Sequence, residues 1–228
     1  MKDNYPMVTE TQNQALLKVN EIYLSLQGES TYAGVPCVFV RLTGCPLRCV
    51  WCDTAYAFYN GEDQSLDAVL EKVASYDVKT VELTGGEPLA QAGAIALLER
   101  LVERGYRVLL ETSGGVSVDR VPPSVVKILD VKCPGSGESD RNLWDNLQKL
   151  VPGQDEIKFV LLDRVDYDYA KDIIARHELA GRFTLLFSAV HGKLKPAELA
   201  EWIIEDRLPV KFQLQLHKFI WPGETKGR

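Results

Sequence analysis

From Thr80 onward, short apolar runs alternate with helical stripes, and this rhythm narrows the available folds more than any other feature of the chain. Thr80–Leu83, Tyr106–Leu110, Val125–Val131, Glu156–Leu162, Arg182–Phe187 and Val210–Leu216 read as strands. Ala92–Arg104, Asn142–Leu150, Tyr167–Leu179 and Pro196–Glu205 read as helices between them. Gly105 stands where a glycine ends a helix, and Pro196 where a proline starts one. Upstream, Val19–Leu26 and Val35–Leu42 are apolar enough for strands. Ser65 is a natural N-cap for the stripe Leu66, Val69, Leu70 and Val73. Residues 55–64 read as irregular, 1–16 as a loose lead-in and 223–228 as a tail. Alternating strands and helices imply a mostly parallel β/α architecture. No G-x-G-x-x-G follows the first strand, as a dinucleotide-binding open sheet would show. At 228 residues the chain falls short of the ~250 typical of a full eight-fold barrel. The expected fold is therefore α/β, a partial and open (β/α) barrel of seven or eight strands in a single domain.

The second constraint is chemical. Cys45, Cys49 and Cys52 fall within eight consecutive residues, spaced C-x3-C-x2-C. Thiolates so crowded call for metal. A closed zinc site needs four ligands, usually from paired C-x2-C knuckles. An iron–sulfur cluster usually takes four cysteines. Here Cys37 lies in the preceding apolar run and Cys133 far downstream, both better suited to packing. Three thiolates would leave one iron without a protein ligand, free to bind a small molecule.

Bulk properties exclude several classes. A formal net charge of −6 argues against a general nucleic-acid binder. No apolar run approaches the ~18 residues needed to span a bilayer, and Met1–Gln14 is too polar for an export signal. An odd count of five cysteines argues against a disulfide framework. A cytoplasmic location follows, where thiols stay reduced.

Polar and glycine-rich segments gather at the C-terminal ends of the expected strands, the active-site edge of a β/α barrel. They supply Glu29, Arg41, Thr54, Thr84, Glu87, Ser113, Lys132, Ser188, His191 and His217. Gly85-Gly86 lets backbone approach a ligand and frees N–H groups for an anion. Glu87 can face a cationic ligand group, and Arg41 can clamp a carboxylate in bidentate fashion. The Thr54 hydroxyl is a reasonable hard ligand for Mg2+. His177, mid-helix, reads as structural, and Trp51 as packing beside the metal.

Cys45-x3-Cys49-x2-Cys52 followed by Thr84-Gly85-Gly86-Glu87-Pro88 resembles the radical S-adenosylmethionine superfamily. Further marks narrow the resemblance: Leu26-Gln27-Gly28-Glu29, Arg41-Leu42-Thr43-Gly44-Cys45, Trp51-Cys52-Asp53-Thr54, Glu111-Thr112-Ser113-Gly114 and Gln215-Leu216-His217-Lys218. Together they are similar to the family that contracts 6-carboxy-5,6,7,8-tetrahydropterin to 7-carboxy-7-deazaguanine with loss of ammonia, on the route to queuosine and other deazapurines. The resemblance implies a [4Fe–4S] cluster on the three cysteines and S-adenosylmethionine on the open iron. It further implies Mg2+ on Thr54, a flavodoxin- or ferredoxin-type electron donor, and a homodimer. It assigns Leu26, Gln27, Gly28, Glu29, Arg41, Thr84 and His217 to the pterin, with Pro222 near it. It assigns Gly86, Glu87, Ser113, Lys132, Cys133, Pro134, Ser188, Ala189, Val190 and His191 to S-adenosylmethionine. The chain departs from the family at Ser30, commonly glycine, and in continuing past Pro222.

Other readings compete. A glycyl-radical activating enzyme shares the cysteine spacing but needs a groove for a peptide loop. The Gln27-Gly28-Glu29 turn and Arg41 favour a small carboxylated substrate instead. A zinc knuckle completed by Asp53 or a histidine, or an electron-transfer module, fits poorly with so complete a β/α scaffold.

Overall fold

Residues 16–223 and 226–227 are described by the computed structural model. In chain order they form β1 (Leu16–Leu26), β2 (Pro36–Leu42), β3 (Glu62–Ser65), α1 (Leu66–Ala74), β4 (Thr80–Gly85), α2 (Ala94–Glu103) and β5 (Arg107–Thr112). There follow β6 (Val126–Val131), β7 (Glu156–Leu161), α3 (Arg164–Arg176), β8 (Thr184–Ala189), α4 (Pro196–Asp206), β9 (Lys211–Phe212) and α5 (Leu216–Ile220). The expected lead-in lies almost wholly outside the described residues.

All nine described strands join one sheet in the order β3-β1-β2-β4-β5-β6-β7-β8-β9. β1 pairs antiparallel with β2 and β3, and every pairing from β2 to β9 is parallel. β3 and β9 stand at opposite edges, so the sheet is open. It nevertheless curls. The loop after β1 reaches the segment after β9, where Ser30 N–H donates to Gln213 Oε1 at 2.8 Å and Leu216 N–H to Gly28 O at 3.0 Å.

The two faces are built from strict alternation. Val81, Leu83, Val108, Leu110, Leu129, Val131, Ile157, Phe159 and Leu161 share one core with helix residues such as Leu97, Leu98, Ile173 and Leu199. The intervening residues face inward. Leu109, Val126, Ile128 and Leu186, with Tyr32 against them, form a small inner apolar plug. Above it come Glu82, Glu111, Asp130, Lys158 and Ser188, all charged or polar. α1 follows its sequence signal closely. Ser65 Oγ accepts from Ala68 N–H at 3.2 Å, a cap contributing about 1 kcal/mol. Leu66, Val69, Leu70 and Val73 are all buried, each stabilising by roughly 1.5–3 kcal/mol.

Three elements depart from expectation. Within 55–64, read as irregular, β3 begins at Glu62. It is a polar edge strand paired from Leu16↔Ser65 to Val19↔Glu62, so no apolar face betrays it. Asn142–Leu150 is not an α-helix but contains a 3-10 helix, Trp144–Gln148. Asn146 turns inward there, accepting from Val118 N–H and donating to Gly114 O and Val116 O. The last strand stops at Phe212, because Gln213 and Gln215 turn their side chains toward Glu29. His217 consequently lies on α5, not at a strand end.

Candidate active site

The cysteine loop is shaped by backbone contacts with three neighbouring segments. Gly44, with φ +96°, donates to Ala57 O at 2.9 Å and accepts from Glu87 N–H at 2.9 Å. Val50 N–H donates to Ser136 O at 3.0 Å, and Arg48 N–H to Glu138 Oε1 at 2.6 Å. Gly86 packs so tightly behind the loop that a Cβ there would lie 2.2 Å from Gly44 O and 2.6 Å from Cys45 Cβ. Cys45, Cys49 and Cys52 are half-buried, whereas Cys37 and Cys133 are buried. Burial pushes the Cys45 and Cys49 thiols up, and the Lys132 ammonium opposes it at both. Three thiols on one glycine-backed loop, opening on a cavity, are a donor set suited to an iron–sulfur cluster.

That cavity measures about 650 Å³, within the range of small-molecule sites. All three cluster cysteines line it, with Thr54. So do Leu26, Gln27, Gly28, Glu29, Arg41, Thr84, His217 and Pro222, and Gly86, Ser113, Lys132, Cys133, Val190 and His191. Glu87, Pro134, Ser188 and Ala189 are not among its lining. Glu87, expected to face a cationic ligand group, is fully buried and committed elsewhere. Its carboxylate accepts from Thr112 Oγ1 at 2.9 Å, Ser113 N–H at 2.8 Å and Leu89 N–H at 2.9 Å. It thereby fixes Ser113, which does line the cavity. Ser188 Oγ is bonded to Gln213 Nε2 at 2.9 Å.

The pterin-side residues are held by partners that the sequence did not announce. Arg41 Nε donates to Glu21 Oε1 at 2.8 Å and Arg41 Nη2 to Tyr23 Oη at 2.7 Å, while Tyr56 Oη donates to Glu21 Oε1 at 2.8 Å. Gly28 and His217 meet so closely that a Cβ on Gly28 would lie 2.5 Å from His217 Nδ1. Burial holds the His217 imidazole below its ordinary value, and Glu29 opposes this. Ser30 adopts the left-handed region at φ +63°, where a serine costs roughly 1–2 kcal/mol. Its N–H bond to Gln213 and the Tyr32 N–H bond to its Oγ at 3.1 Å offset that cost.

The cavity floor carries four carboxylates. Lys158 Nζ lies 2.6 Å from Glu111 Oε2, 3.1 Å from Glu29 Oε2 and 3.9 Å from Asp130 Oδ2. Lys132 Nζ lies 3.0 Å from the same Asp130 oxygen. Gln27 Nε2 bonds to Glu82, and Gln27 Oε1 accepts from Glu29 N–H at 2.7 Å. Burial pushes Glu29 up, but Lys158 and the Gln215 bond pull it net below the usual carboxylate range. Burial, reinforced by Glu111, pushes Glu82 well above that range. Burial also pushes Glu111 up to about 7 against the pull of Lys158. The floor thus combines one carboxyl held below the usual range with two held above it. Glu82, Asp130 and Lys158 had one sequence signal, a polar residue at the inward position of an otherwise apolar strand, and Glu111 stood besides in the Glu111-Thr112-Ser113-Gly114 mark.

The chain is similar to known proteins over most of its length. The Radical SAM superfamily matches residues 39–130. A 7-carboxy-7-deazaguanine synthase of Koribacter versatilis is 47% identical over 226 residues, covering 92% of this chain and 100% of that one. Its counterpart from Chlorobaculum tepidum is 45% identical over 216 residues, covering 94% and 98%. The crystal structure of QueE from Escherichia coli superposes with a TM-score of 0.74 at 23% identity, over 90% of this chain and 99% of that one, a likeness of fold.

Proposed function

The chain belongs to the 7-carboxy-7-deazaguanine synthase family of the radical S-adenosylmethionine superfamily, and from that premise we propose that its cavity converts 6-carboxy-5,6,7,8-tetrahydropterin to 7-carboxy-7-deazaguanine, releasing ammonia. The observation that carries this reading is that three half-buried thiols open on the same cavity as Arg41, Glu29 and His217. Cys45, Cys49 and Cys52 would hold a [4Fe–4S] cluster, with S-adenosylmethionine on the iron they leave open. Bound together, these cofactors supply a one-electron, hydrogen-abstracting chemistry that no side chain can provide.

The protein's own work is binding, orientation and exclusion of water. Gly86, Ser113, Lys132, Cys133, Val190 and His191 form the cofactor side. Glu87 acts on that side through Ser113, and Pro134, Ser188 and Ala189 through the backbone of their segments. Leu26, Gln27, Gly28, Glu29, Arg41, Thr84 and His217 form the pterin side, with Pro222 at its rim. Arg41 meets the substrate carboxylate, and the floor carboxylates meet its N–H groups. Thr54, whose hydroxyl lies 3.7 Å from Cys52 Sγ, is the protein ligand for Mg2+.

The reading also carries a homodimer, a flavodoxin- or ferredoxin-type reductant, a single domain spanning the chain and a cytoplasmic location. Among the described residues no helix is long and apolar enough to cross a membrane.

The test is direct. Anaerobic reconstitution should yield about four irons and four sulfides per chain. Addition of reductant, S-adenosylmethionine and the carboxypterin should then give the deazapurine by mass spectrometry. Formation of 5′-deoxyadenosine without deazapurine would keep the superfamily and reject the substrate. Thr54→Ala should change the Mg2+ dependence of turnover; an unchanged titration would remove Thr54 from the site.

A further inference from the structure

We propose that Lys158 is a positioning residue for this reaction: its buried ammonium fixes the Glu29 and Glu111 carboxylates against the substrate, and couples them through Asp130 to Lys132 beside the cluster loop. The inference rests on the proposed substrate and extends it to a residue to which that scheme gives no role.

The geometry is unusual for a structural ion pair. Lys158 sits mid-strand on the inner face of β7, with only 6% of its side chain exposed. Its three carboxylate neighbours come from three different elements, the loop after β1, β5 and β6. An ammonium has three N–H donors. Two are taken within 3.1 Å by Glu111 and Glu29, and the third side faces Asp130. Lys158 therefore has little left to offer a ligand, and what it does is orient acids that line the cavity.

Glu29, Glu82, Glu111 and Asp130 share the floor with Lys158 and Lys132. Carboxylates this close repel one another unless a cation stands between them. Glu29 is the most exposed to this demand. Besides Lys158, its side-chain donors among the described residues are neutral amides, Gln215 Nε2 at 2.9 Å and Gln213 Nε2 at 3.4 Å. Asp130 extends the order toward the metal side, since it bridges Lys158 and Lys132. Lys132 and Cys49 line the same cavity. A single ammonium thus sits at the junction of the two halves of the cavity.

A merely structural Lys158 predicts a different outcome, so the two can be separated. Lys158→Met leaves Glu29 and Glu111 without their cation and risks unfolding, so Lys158→Arg carries the test. Arginine keeps the charge but spreads its donors over a plane, and cannot bring three acids to one point. The readouts are iron content, thermal midpoint, and separate KM values for the carboxypterin and S-adenosylmethionine.

We expect Lys158→Arg to keep its iron and raise the carboxypterin KM by about tenfold or more, the size of a lost charge-assisted contact. The KM for S-adenosylmethionine should move much less. A lowered midpoint with an unchanged carboxypterin KM would overturn the assignment. The S-adenosylmethionine KM supplies the second check: a rise as large as that for the carboxypterin would mean a general disturbance of the cavity and would overturn the assignment. Absence of any turnover by the unsubstituted protein is a separate result, which overturns the substrate reading itself.

Discussion

Arg41 enters the cavity already paired, its Nε 2.8 Å from Glu21 Oε1. With Nη2 also donating to Tyr23, the side edge of the guanidinium is taken. A substrate carboxylate must therefore be met at the end of the fork, by Nη1 and the second Nη2 hydrogen. Arg41→Ala should raise the carboxypterin KM by roughly 10–100-fold, equivalent to ~1.5–3 kcal/mol, without loss of iron. Glu21→Gln, which loosens the aim but keeps the cation, should have the smaller effect in the same direction. Steady-state kinetics and iron assay decide it, and an iron-free Arg41→Ala protein would make Arg41 a support of the loop instead.

Gly86 has no room for a side chain. A methyl group there would strike Gly44 O at 2.2 Å and Cys45 Cβ at 2.6 Å, and the nearer obstacle is backbone, which cannot swing aside. Gly86→Ala should displace the thiol loop and sharply reduce iron incorporation after reconstitution. Gly105→Ala is the control. It has a positive φ of +77° but nothing within 4 Å, so it should cost only about 1 kcal/mol of stability and none of the iron.

Glu87 is a clamp between two turns. Replacing it with alanine strands the Thr112 hydroxyl and the Ser113 and Leu89 N–H groups inside the protein. A loss of ~2–4 kcal/mol is expected, read as a lowered midpoint in anaerobic denaturation. The KM for S-adenosylmethionine should rise with it, because Ser113 loses its anchor. A stable variant with an unchanged KM would show that Ser113 is placed by its strand alone.

Glu111 gives the fold a pH signature. Its carboxyl is pushed up to about 7 from an ordinary value of 4.5, so between these values the folded protein holds a proton that the unfolded chain has lost. Stability from this group therefore falls as pH rises from about 4.5 to 7 and is level above. The lowered Glu29 contributes stability lost only on acidification below its ordinary range, outside this window. Glu111→Gln should remove the loss, so its midpoint relative to the unsubstituted protein should improve between pH 5 and pH 8. A difference independent of pH would mean that Glu111 is ionised throughout.

Legibility in the sequence followed burial. β2 and β4 to β8 were readable because runs such as Val38–Val40 and Leu109–Leu110 are buried on both faces. β3 was not, because an edge strand written Glu-Asp-Gln-Ser carries no apolar period. In the segment 142–150, expected as a helix, Leu147 and Leu150 do bury, but the inward Asn146 tightens the turn. The thiols were visible through crowding alone. The floor was not. Glu82, Glu111 and Lys158 alternate with apolar residues as a solvated face would, and only the curl of the sheet turns that face inward.

The thiol loop owes its shape to amide and carbonyl contacts with Ala57, Glu87 and Ser136. In minimal zinc modules the ion is itself the core, and chelation unfolds the chain. Here a chelator should strip the inorganic part and leave the sheet standing. Oxygen damage then becomes a repairable event: delivery of fresh iron and sulfide meets a finished vessel, and the same polypeptide returns to service.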